Sequence, residues 1–284
     1  TNFSQSIVGE GGSLPQLNNH KEYTVRWSHF VIISCLGVGG AGIAQAAPQF
    51  TVGDMPSFFQ GSFGTNSTLN IFYNDTYFQY QNSTLRLKLE VPYLSVSGLP
   101  NGASLSGGSV VSRKGVSTQT HSASGIGDVW LAAHYTVLQS SGLMPAIVPF
   151  AKIKFGTASA SQGLGTGRND YEIGMGLDET IGARIFPFAH IAYRFVGNPP
   201  GNNLQNIWTY NIGSSYLVDE HNVLTGMFDG AQSEQPGYSG PADLVVAWNY
   251  NVTRAGSGFQ LYFDKGLSNG SPDFGIGIGG QVVF

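Results

Sequence analysis

Apolar residues alternate one by one with small or polar residues through segment after segment of this chain. That period of two constrains the fold more than any other feature. In 274–284, Phe274, Ile276, Ile278, Val282 and Phe284 fall on one face, and Gly275, Gly277, Gly279 and Gln281 on the other. Successive side chains of a strand point to opposite sides, so this is a strand with one apolar face. Residues 84–96 repeat the pattern, with Leu85, Leu87, Leu89 and Val91 opposite Arg86, Lys88 and Glu90. So do 127–137, 170–181, 187–196, 242–253 and 258–265. Charged residues make up only 11% of the chain, against roughly 25% in soluble domains, while glycine reaches 40 of 284 positions and aromatics 12%. No stretch after the N-terminal region holds eighteen consecutive apolar residues, which excludes a spanning helix there.

A soluble sandwich also alternates, but it turns its apolar face inward and shows lysine, glutamate and arginine to water. Here the apolar face is wide, aromatic and nearly uncharged. Arg86, Lys88, Lys152, Lys154 and Arg194 all fall on the other face. A slip of one residue would carry them into the apolar side, so the register is strongly specified. An apolar outer face with a polar inner one is the pattern of a membrane-spanning barrel, and hydrocarbon tolerates no open sheet edge. Tyr135, Tyr171, Tyr193, Trp208, Tyr216 and Trp248 stand near strand ends, where interfacial girdles form. Tight turns at 81–83, 219–221 and 254–256 alternate with longer segments at 98–125, 158–169, 197–205, 231–240 and 266–272, rich in Gly, Ser, Asn and Pro. Eleven strands are legible from residue 68 onward, and 50–63 supplies part of a twelfth. The expected fold is all-β: a closed antiparallel transmembrane barrel of twelve strands, with ten or fourteen as alternatives.

The N-terminal region reads differently. Lys21 and Arg26 precede an apolar run from Trp27 to Ile43, and Ala44-Gln45-Ala46 is a small-x-small cleavage site. Residues 21–46 are therefore expected to be a secretory signal peptide, and 47–284 the barrel. Residues 1–20 are polar and fit no export signal, so a non-native or mis-started extension is expected there. Gly37 to Gly42 matches a dinucleotide fingerprint, but it follows no strand and falls in the segment to be removed. The apolar run before Cys35, the one cysteine, is too short for a lipoprotein signal, and a single cysteine excludes a disulfide framework. A net charge of −4 without a basic stripe excludes nucleic acid as a partner.

Several segments resemble a known family. "SGIGDVWLAAHY", "AKIKFGTASASQGLGTGRNDYEIG", "AYRFVGNPPG", "LSNGSPDFGIGIGG" and "LRLKLEVPYLSVSG" are similar to Gram-negative outer-membrane proteins of the putative MetA-pathway of phenol degradation family. The resemblance covers roughly 60–284 in order, and residues 50–80 are its least typical part. It implies a transporter-like or porin-like barrel in the outer membrane, passing small molecules, aromatic or hydrophobic ones among them. It transfers no substrate-binding motif.

The candidate lumen lining is Arg86, Lys88, Glu90, Asp128, His134, Lys152, Lys154, Glu172, Asp178, His190, Arg194, Asp243 and Asp264. Such a set selects a solute, or else forms an ion-pair network that fills and stiffens a narrow barrel. Interleaving of both signs favours the second account. His134 and His190 have no third histidine at ligand spacing, so no metal and no cofactor is expected. No G-x-S-x-G elbow accompanies the serines and histidines, which argues against a hydrolase. Gly163 to Gly167 lacks the Gly-Lys-Ser/Thr ending of a phosphate loop. A structural or adhesive barrel without transport is the other alternative. Ile276, Ile278, Val282 and Phe284 resemble the assembly signal read by the outer-membrane insertion machinery. Outer-membrane lipid, that machinery and a small-molecule solute are the expected partners.

Overall fold

The computed structural model describes residues 48–284 apart from 113–116 and 143. The expected export signal, Ala44, Ala46 and Cys35 lie outside the described residues. Fifteen strands follow one another: β1 (Gln49–Gly61), β2 (Leu69–Gln81), β3 (Leu85–Pro100), β4 (Ala103–Ser106), β5 (Ser109–Ser112), β6 (Thr120–Ile126), β7 (Val129–Tyr135), β8 (Ala146–Phe155), β9 (Asp170–Asp178), β10 (Ile185–Phe195), β11 (Ile207–Leu217), β12 (Asn222–Ala231), β13 (Ala242–Asn251), β14 (Gly258–Gly266) and β15 (Phe274–Val283). β6 and β7 both pair with β3, at Tyr93↔Ile126 and Glu90↔Trp130, and are one stave interrupted at Gly127-Asp128. β4 and β5 form a separate hairpin. The remaining strands pair antiparallel with their sequence neighbours, and β1 closes on β15 from Thr51↔Val283 to Gln60↔Phe274. The result is a closed barrel of twelve staves, and β1 is a complete stave of thirteen residues.

Alternation sorts the side chains as the period demands. Ile173 and Ile278 are 56% and 61% exposed on the outer surface, while Glu172 and Lys154 are 1% and 0% exposed inside. The short connections 82–84, 179–184, 218–221 and 252–257 share one end with Gln49 and Val283. The longer ones, including 101–119, 156–169 and 232–241, lie at the other. Tyr135, Tyr216 and Trp248 stand toward the short-turn end, and Tyr171, Tyr193 and Trp208 at the long-loop end.

The inner glycines are seats for large side chains. A methyl group built at Gly277 would run into the Tyr262 ring, at Gly275 into Phe59, at Gly213 into Phe188, and at Gly174 into Phe150. A narrow barrel packed to protein density has room for a ring only where the facing residue has no side chain. Met55, Tyr77, Phe188, Met227, Val245, Ala247 and Tyr262 form one such interior cluster.

The segment 98–125 is not the plain loop expected from its composition. It carries the end of β3, the β4–β5 hairpin and β6. Gly107 and Gly108 turn the hairpin with φ of 52° and 90°, the two left-handed residues that a tight two-residue connection requires. The base of the hairpin packs inward: Ala103 joins Phe63, Leu69, Ile71, Leu94, Val96, Leu99, Ala158 and Leu164 in a buried apolar cluster. Leu105 N–H donates to Gly163 O at 2.9 Å, tying the hairpin to the 156–169 segment. The long-loop end of the lumen is thus filled by the chain's own connections.

Candidate functional site: a charged belt inside the barrel

The charges of β8, β9 and β10 meet because of register. Lys152 pairs with Glu172 across the β8–β9 ladder, Lys154 with Asp170, and Glu172 with Arg194 across β9–β10. Directly opposed residues of a ladder hold their side chains within reach of one another. Lys152 Nζ lies 3.1 Å from Glu172 Oε1, and Arg194 Nε donates to Glu172 Oε2 at 2.8 Å. Lys154 Nζ lies 2.6 Å from Asp170 Oδ2 and 3.5 Å from Asp128 Oδ2. On β3, Lys88 Nζ lies 2.6 Å from Glu90 Oε1. Aromatic faces carry part of the positive charge as well. Lys88 sits over Tyr77, Lys152 over Phe150 and the Arg194 guanidinium over Trp130, at 4.5, 5.1 and 5.3 Å from the ring centroids.

The connections at the long-loop end are latched to this belt. Arg194 Nη1 lies 3.5 Å from Glu234 Oε1 of the 232–241 segment, and Gly107 at the hairpin tip sits against the Arg194 guanidinium. Ser112 N–H donates to Gln235 Oε1 at 2.9 Å. Burial pushes the Glu234 carboxyl above its ordinary value, and the Arg194 charge pulls it partly back. Asp128, at the break between β6 and β7, accepts the Ala158 N–H at 3.0 Å and so anchors the 156–169 segment.

The structure buries Arg86, Lys88, Glu90, Asp128, His134, Lys154, Glu172, Asp178, His190, Asp243 and Asp264, with Lys152 and Arg194 nearly so. They do not form one cluster. His190 Nε2 lies 3.0 Å from Asp178 Oδ1 and its Nδ1 2.7 Å from Asn211 Oδ1. His134 stacks on Phe150 with centroids 5.1 Å apart. Asp243 and Asp264 lie on another wall, together with Asp229, and each keeps an Oδ1 with no hydrogen-bond partner among the described residues. Among those residues no group of three or more metal-ligating side chains is assembled. Sequence reasoning missed Asp170, which starts β9, Asp75 and Asp229, which alternate inward on β2 and β12, and Glu234, which lies in a loop. Alternation pointed to Asp229 and Asp75; nothing in the sequence pointed to Glu234. Of the assembly residues, Ile276, Ile278, Val282 and Phe284 are all exposed on the outer surface.

The belt borders a cavity of about 320 Å³ inside the barrel. Phe59, Tyr73, Trp130, Phe150 and Leu164 are among its apolar lining, and Lys152, Glu172, Arg194, Asp243 and Asp264 among its charged residues.

No family model and no curated protein matches the chain. Solved structures do. An outer-membrane channel from Pseudomonas putida F1 superposes with a TM-score of 0.64 at 13% identity, over 86% of this chain and 97% of that one. The NanC porin superposes with a TM-score of 0.51 at 10% identity, over 82% of this chain and 98% of its own. At such identities the likeness is one of architecture: this chain has the closed antiparallel barrel fold found in those two outer-membrane proteins.

Proposed function

We propose that the barrel stands in the outer membrane of a Gram-negative bacterium and passes small molecules through its lumen. The observation that carries this reading is the cavity at the charged belt, lined by aromatic, apolar and ionic side chains together. Such lining suits a small solute with a hydrophobic body and a polar group. The resemblance of the chain's segments to the phenol-degradation family supports an aromatic or hydrophobic solute. The channel and porin named above support passage over adhesion or hydrolysis. The β4–β5 hairpin, held by Arg194 and Glu234, stands in the route, so passage requires it to shift. The outward row ending in Val282 and Phe284 is read as the mark by which the insertion machinery takes up the chain.

Liposomes carrying the protein test the reading. Flux of a small aromatic solute such as phenol or benzoate should exceed that of a sugar of similar size. Deleting residues 103–112 should raise the flux of both. A protein that inserts but conducts neither solute, with or without the hairpin, would be a structural or adhesive barrel.

A further inference from the structure

The outer surface of β1 and β2 breaks the middle of the apolar band at one point. Along β1 the outward residues are Phe50, Val52, Asp54, Pro56, Phe58 and Gln60; along β2 they are Asn70, Phe72, Asn74, Thr76, Phe78 and Tyr80, with Gln60 and Asn70 paired at the long-loop end. Asp54 is exposed, and its Oδ1 accepts hydrogen bonds from Asn74 Nδ2 at 2.8 Å and Thr76 Oγ1 at 2.6 Å. Its Oδ2 has no hydrogen-bond partner among the described residues. The group is central, since Asp54 is the sixth of the thirteen residues of β1. Among the described strand residues, the other outer-surface side chain charged at neutral pH is Lys265, whose ammonium donates to Asp273 O near the long-loop end. Next to Asp54 the wall is low: its ladder partner on β15 is Gly280, which has no side chain.

A carboxylate, an amide and a hydroxyl on a lipid-facing surface are costly, because hydrocarbon offers no partner for their remaining bonds. Their depth rules out a lipid headgroup, which lies at the strand ends, and a soluble protein. The remaining occupant is another membrane-embedded surface. We propose that it is a second copy of this chain, docked through the β1–β2 surface about a two-fold axis parallel to the barrel axis. The patch is complementary to itself: the Thr76 hydroxyl hydrogen is taken by Asp54 Oδ1 of its own chain, but Asp54 Oδ2 on β1 remains as an acceptor and the second amide hydrogen of Asn74 on β2 as a donor, close in height because Asp54 and Thr76 are ladder partners. A two-fold axis between the strands brings each Asp54 opposite the other copy's Asn74 and Thr76, as an isologous contact requires. Phe58, Phe72, Phe78 and Val52 surround the polar centre, and Gly280 and Pro56 allow close approach. Small residues for close contact and polar residues as glue are the means by which surfaces associate in lipid.

This inference rests on the reading of the apolar band as lipid-facing. The test uses the full barrel in a mild detergent and in vesicles. Light scattering of the wild type should give a dimer. In a Cys35→Ser background, Phe72→Cys should cross-link to itself with a short bifunctional maleimide, and Ile191→Cys on β10 should not. Combining Asp54→Leu, Asn74→Leu and Thr76→Val should weaken dimerisation roughly tenfold or more while leaving the heat-modifiable band. Asp54→Asn, which keeps the shape, should weaken it less. A wild type that inserts but stays monomeric overturns the proposal alone, as does cross-linking only to another polypeptide or a triple variant that dimerises undiminished. A wild type that fails to insert overturns the membrane reading as well.

Discussion

The arc β8–β10 and the arc β14–β15–β1 enclose the same lumen by opposite means. In the first, the inner face carries Lys152, Lys154, Asp170, Glu172 and Arg194, and neighbouring strands answer each charge with its opposite. In the second, β15 turns Gly275, Gly277 and Gln281 inward, and its neighbours lay Phe59 and Tyr262 across the glycines. Ion pairs dominate the first arc, with one ring, Phe150, seated at Gly174, whereas rings in glycine seats dominate the second. The difference teaches that a polar inner face can be occupied in two ways. Charge and absence of side chain both read as non-apolar, yet each brings side chains across the inner face, by attraction in one arc and by shape in the other.

The comparison breaks first at Lys154. If its charge balances Asp128 and Asp170 out of water, Lys154→Met strands two carboxylates and should cost ~3–5 kcal/mol, measured by denaturant titration in micelles. A negligible change would mean that water already solvates the arc. Next comes the outer surface of the same arc. Ile173→Arg should cost ~2–4 kcal/mol if the residue stands near the midplane, and folding into liposomes should be more sensitive to it than folding into detergent. The smallest effect belongs to the glycine arc. Gly277→Ala meets the Tyr262 ring and Ser57 Oγ, and overpacking of this kind should cost ~1–3 kcal/mol. Adding Tyr262→Leu should recover part of that loss in a double-mutant cycle. Strict additivity would mean that the ring does not occupy the seat.

The fold was largely legible because a period of two survives any choice of residue that keeps apolar apart from polar. Twelve staves, the alternation of short and long connections and the outer position of Leu87, Ile173 and Ile278 all follow from it. What was not legible depends on three-dimensional neighbours. Gly107-Gly108 in a serine-rich stretch marks a flexible loop as readily as the hairpin turn that it makes. The continuity of β6 with β7 was hidden by Gly125, Gly127 and Asp128, which interrupt the apolar alternation. The lining residues could be assigned to a face, but which carboxylate meets which base depends on ladder register. Lys154 therefore could not be matched to Asp170, nor Arg194 to a glutamate as remote in the chain as Glu234. Asp54 stood in the segment with the weakest alternation, so its outward position needed β2 and β15 in place.

The seam between β1 and β15 has a kinetic consequence. Its hydrogen bonds join the first described stave to the last, with Phe50 N–H donating to Phe284 O and Phe284 N–H to Phe50 O. The chain entropy lost in forming the first of these bonds spans nearly the whole barrel, which puts the step among the slowest that topology allows. Until it forms, two strand edges stand without partners, and hydrocarbon cannot receive them. If the barrel spans a bilayer as proposed, entry and closure of the ring have to proceed together, and the seam is expected to be the last part of the wall protected from hydrogen exchange.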